Sequence, residues 1–172
     1  MNLEISEKQA RFLATLEIVR RELVVFKYSY EQLYSHQIDS DWVGQLENNM
    51  GFAETLEAFV SRFSRLQDTI GDKLIPRALL MLAENLGSNL DNLNRAERLG
   101  WIDDVNEWLV ARDLRNRLTH EYMTDENEFA NDLLNAKKYF DLFQSVYEKF
   151  LKLAKTHCNV EETELSGYLR RK

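Results

Sequence analysis

Only one cysteine (Cys158) and one proline (Pro76) occur among the 172 residues, and glycine occurs six times. A lone cysteine excludes an internal disulfide and points to a reducing compartment. Its place near an expected helix end assigns it no catalytic role. Scarce proline and glycine leave little material for turns, which favours long helices over many short strands. No apolar run approaches the roughly 20 residues needed to span a bilayer, and the opening MNLEISEKQARF has no leader-like apolar stretch. A cytoplasmic protein without membrane contact is expected. The three histidines (His36, His120, His157) are widely spaced, with no HxxxH or CxxC pattern, so no metal site and no cofactor is expected. Excess basic charge is missing too. A net charge of −7 excludes broad, nonspecific binding of nucleic acid but leaves room for a local basic cleft.

What is present is a globular composition, 44% hydrophobic and 30% charged, in a length that suits one domain. Apolar residues alternate at spacings of four and three. Phe12, Leu16, Val19, Leu23, Phe26, Tyr30 and Leu33 form one seam, and Phe52, Leu56, Phe59, Phe63, Leu66 and Ile70 a second. Ile75, Leu79, Leu82 and Leu86 form a shorter one, and Phe129, Leu133, Ala136, Phe140, Phe143, Tyr147 and Phe150 close the series. Such narrow seams predict an all-α fold, an antiparallel bundle of about five helices. Breaks are expected at Asp39 to Asp41, at Gly71-Asp72, and near Met123 and Thr124, where Asp125 and Glu128 have capping-box spacing. Pro76 suits the first turn of the third helix. Gly87 to Gly100 reads as a connection with one helical turn around Arg95 to Leu99, and Asp103 or Asp104 as the cap of the fourth helix. Residues 1–158 are expected to form a single domain and 159–172 a mobile or docking tail.

The segment ARDLRNRLTHEY, Ala111 to Tyr122, breaks the pattern. Its stripe reads Trp108, Ala111, Arg115, Leu118, Tyr122, so a cation falls where an apolar side chain belongs. Held there, it must pair, bind a ligand or face a polar cleft, because burying it alone costs several kcal/mol. Glu54 and Asp68 are candidate ion-pair partners; Arg112 and Arg117 read most simply as solvated charges at a helix end. His120 lies about 140° round the helix from Arg115, so the two meet only if the arginine reaches round, the helix loosens, or two copies face each other. On a phosphodiester, an imidazole can move a proton and a guanidinium can hold the phosphate. Asn116 could orient either group, and Tyr122 could donate a bond or stack on a base.

RNRLTHEY resembles the Arg-x4-His-x-Tyr signature of HEPN domains, the all-helical higher eukaryote and prokaryote nucleotide-binding superfamily. It is most similar to the branch paired with minimal nucleotidyltransferases, as toxin or as substrate-binding partner. Arg115, Asn116, His120 and Tyr122 match the signature positions. RLQDTIGDKL (Arg65 to Leu74) and ERLGWIDDVNEWLVARDLRN (Glu97 to Asn116) resemble the surrounding helices, so the likeness runs from about Phe52 to Phe150. It implies a bundle with a four-helix up-and-down core, as in nucleotidyltransferase substrate-binding domains, and a homodimer with the motifs facing each other. It also implies a metal-independent endoribonuclease toxin in a toxin–antitoxin pair, with Arg115 on the scissile phosphate and His120 as general acid or base. Asn116 would support them, and a nucleotidyltransferase antitoxin could transfer AMP to Tyr122. The alternative is a noncatalytic nucleotide- or substrate-binding subunit of a nucleotidyltransferase. The first helix and the tail make this chain longer than compact members of the superfamily.

Overall fold

The computed structural model describes residues 4–120 and 124–170, with only the backbone of His120 and Arg170. The chain is an all-α helical bundle with no strand among the described residues. Its helices are α1 (Glu7–Tyr34), α2 (Ser40–Gly44), α3 (Met50–Asp68), α4 (Ile75–Met81), α5 (Asn89–Arg98), α6 (Val105–His120), α7 (Glu126–Ala136) and α8 (Tyr139–Cys158). A π-helical segment, Thr69–Leu74, joins α3 to α4, and a 3-10 helix, Glu162–Arg170, follows α8.

Short polar side chains fix where these helices start. Ser6 and Gln9 bond reciprocally at the entry to α1, and Ser88 and Asp91 do the same for α5. Asp39, Asn49 and Asp125 each accept a backbone N–H in the first turn of α2, α3 and α7.

The architecture departs from the expected five helices in several places. Gly71-Asp72 do not end the second helix. Instead the backbone widens, and the Ile75 N–H reaches five residues back to the Ile70 carbonyl. A wider turn accommodates Pro76, which lacks an N–H and would crowd the carbonyl four residues before it in a regular helix. The third seam stops early, because Ala83 takes φ 61° and turns the chain out of α4, leaving Leu86 exposed. The 87–100 connection holds a ten-residue helix, α5, which ends on Gly100 at φ 78°. A left-handed residue there lets the Trp101 N–H bond back to the Ala96 carbonyl. At the start of α6 the Val105 N–H goes to Glu97, while Asp103 bonds Lys149. The final seam is two helices, parted at Lys137 and Lys138.

Two compact units make up the chain. The first comprises Met1–Arg21, Asp68–Val105 and Gln144–Lys172; the second comprises Glu22–Gln67 and Asn106–Phe143. In the first, Phe150 packs on Phe12 and Trp101, with ring centroids 6.1 and 5.2 Å apart. Leu165 of the 3-10 helix is fully buried. In the second, Phe26 of α1 meets Phe59 and Phe63 of α3 and Phe143 of α8 at 5.3, 6.0 and 6.1 Å. Rings buried at such separations add edge and stacking attraction to the transfer term.

The first unit also buries a charge. The Glu17 carboxylate is fully covered, yet Arg20 grips it with Nε and Nη2 at 2.8 and 2.9 Å and Arg21 adds Nε at 2.8 Å. Hydrogen bonds from Arg20 hold this carboxyl below the ordinary glutamate value against the opposing push of burial, with Arg21 adding to them. Tyr147 and Glu162 face the same arginine. A depressed carboxyl stabilises the fold above its unfolded value and loses that contribution as pH falls through its folded value. Glu17→Gln is therefore expected to lower stability by about 1–3 kcal/mol at neutral pH. In urea titrations that deficit should shrink toward pH 3; a deficit of the same size at both pH values would contradict the account.

Candidate active site

Helix α6 carries the motif, and its inner stripe is as apolar as the sequence predicts. Trp108, Ala111, Leu114 and Leu118 are buried, and Gln67 of α3 donates to the Trp108 carbonyl at 3.2 Å. Arg115 sits within this stripe, half-buried. Among its contacts, Nη1 approaches the Ser64 carbonyl at 3.5 Å, the outer limit of a hydrogen bond. The guanidinium therefore rests along α3.

A groove of about 420 Å³ opens along α3 and α6. Leu46, Leu56, Val60 and Leu118 form its apolar walls. Glu57, Ser61, Ser64 and Thr119 bring polar groups to it. Ser64 thus belongs to both the groove and the Arg115 contact. Leu118 and Thr119 lie three and four residues beyond Arg115, on the same side of α6. The Ser64 and Thr119 hydroxyls donate to the Val60 and Arg115 carbonyls at 2.8 and 2.9 Å, so what they offer the groove is lone pairs.

The other motif residues are placed differently. Asn116 is exposed on the flank of α6. The backbone stays α-helical through His120, so no loosening before that residue brings positions 115 and 120 round to one side. The His120 side chain and the whole of Tyr122 lie outside the described residues. Arg117 is not simply solvated: it holds Asp132 of α7 with Nε and Nη2 at 3.0 and 3.1 Å, beside a cleft of about 300 Å³ that includes Asp125 and Glu128. Among the described residues, no group of three or more His, Cys, Asp or Glu side chains is arranged to hold a metal ion. The remaining histidines have local surroundings, His36 against Phe52 and Trp42, and His157 beside the Thr156 hydroxyl.

Glu57, Ser61 and Ser64 are the residues that sequence reasoning passed over. They recur at spacings of four and three along α3, a pattern that in the sequence alone reads as the helix's solvated flank. No protein-family model, no curated protein and no solved structure matches this chain.

Cys158 offers no nucleophile. Its thiol is buried, 3.6 Å from the Met81 sulfur, and burial pushes it up to about 11. Alkylation at pH 7.5 should run about a hundredfold slower in the folded protein than in urea, since only the thiolate reacts. Equal rates, followed by mass spectrometry, would contradict this placement.

Proposed function

We propose that this chain is a HEPN-type, metal-independent endoribonuclease toxin, working as a homodimer and restrained by a nucleotidyltransferase-type antitoxin. One observation carries the reading. A guanidinium occupies the apolar stripe of α6, half-buried, against the carbonyl of Ser64, a residue that also lines a groove large enough for a ligand. A cation kept in a partly dehydrated place binds a phosphate more strongly than one on the open surface, because fewer competing waters screen it.

Arg115 would hold the non-bridging oxygens of the scissile phosphate. A His120 imidazole takes the proton of the ribose 2′-hydroxyl as its oxygen bonds to phosphorus. The bond from phosphorus to the 5′-oxygen breaks, and that oxygen receives a proton from a second imidazole, that of the partner copy. The products are a 2′,3′-cyclic phosphate and a free 5′-hydroxyl. Asn116, exposed next to Arg115, would steer RNA. AMP on Tyr122 would add negative charge to the motif and repel the substrate.

The mainly apolar walls of the groove favour a second reading, a noncatalytic subunit that presents a nucleotide or another substrate to a nucleotidyltransferase. Incubation with transfer RNA in EDTA separates the two. Cleavage to cyclic-phosphate ends is expected, falling by about a hundredfold or more in His120→Ala with no change in the melting curve. Intact RNA, or cutting abolished by the chelator, would defeat the nuclease reading; retained nucleotide binding without cleavage supports the second.

A further inference from the structure

Resting on the reading of Arg115 as the phosphate ligand, we propose that Glu57 determines specificity and that the groove between α3 and α6 receives a guanine base. The groove's volume, about 420 Å³, falls in the range of sites that enclose small ligands. Its walls are polarised along α3. Ser64 marks the end at Arg115, and Glu57 lies seven residues back, about 10 Å along the helix axis. That separation compares with the reach from a nucleotide's phosphate to the outer edge of its base. Ser61 falls between them, level with the sugar, and the accepting oxygens of Ser64 and Thr119 suit ribose hydroxyl donors.

The carboxylate decides which base fits. Glu57 is exposed where it lines the groove, and a carboxylate only accepts hydrogen bonds. Guanine alone presents two adjacent donors, N1–H and the 2-amino group, to match its two oxygens. Adenine and cytosine each place a ring-nitrogen acceptor beside their amino group, and uracil flanks its single N–H with two carbonyls. Each of those sets a lone pair against a carboxylate oxygen, a mismatch that sites built on hydrogen bonds reject strongly. The Leu56, Val60 and Leu118 side chains supply the apolar faces between which a flat ring can slide.

Calorimetric titration of the whole protein with 5′-GMP, 5′-AMP and guanosine tests this. GMP should bind at least about tenfold tighter than AMP. Glu57→Gln should erase that ratio by weakening GMP and sparing AMP. Arg115→Ala should remove the advantage of GMP over guanosine and keep the preference for guanine. Equal binding of GMP and AMP, or a ratio untouched by Glu57→Gln, overturns the proposal. So does a groove closed by a second copy, revealed by absent nucleotide binding together with dimer dissociation in Val60→Glu. RNA cleavage that depends on Arg115 but ignores guanine would sink this inference alone. Guanosine binding as tightly as GMP, through Glu57, would instead sink the phosphate reading and leave the guanine pocket standing.

Discussion

Keeping a permanently charged guanidinium partly out of water, in the packing stripe of a helix, is the constraint around which this site is organised. Ala111, Leu114 and Leu118, beside Arg115 on α6, are buried and apolar. An apolar residue of similar size at position 115 would complete the stripe without a solvation cost. The half-buried position and the contact with the Ser64 carbonyl hold the head group against α3, where Ser64 also lines the groove. A charge so placed is poised for an anion, since local dielectric governs what it contributes.

Rigidity for that arrangement comes from the second unit's aromatic core. Phe63 of α3 touches Phe26, Phe143 and Tyr139, and Trp108 of α6 meets Phe143 at 5.8 Å. Ser64 follows Phe63 directly, and Arg115 lies two turns past Trp108. The two sides of the groove are therefore anchored by rings that cannot shift independently, because packed interiors transmit small displacements. On the far side of α6, the paired hydrogen bonds from Arg117 to Asp132 tie the helix to α7.

Much of the fold was legible from spacing alone. Apart from the half-buried Tyr30 and Phe140, the seam residues from Phe12 to Leu33, from Leu56 to Ile70 and from Phe143 to Phe150 are buried as the periodicity requires. Misreadings arose where backbone chemistry outweighed the pattern. Gly71 next to Asp72 looks like a stop, yet a π turn carries the helix on to Pro76. Ser88 and Asp91 start a helix in a stretch whose asparagines suggested a loop. At the site, the anomaly of Arg115 was visible because a charge interrupts an apolar period. The groove was not, because Glu57, Ser61 and Ser64 look like an ordinary solvated face until α6 is laid beside them.

The sharpest measurement compares the unfolding free energy and the RNA affinity of wild type and Arg115→Met. If the cation serves a ligand, methionine completes the stripe: stability holds within about 1 kcal/mol or rises, while RNA affinity collapses. A loss of about 3 kcal/mol or more, with RNA affinity unchanged, would show that Arg115 is there to hold the helices together.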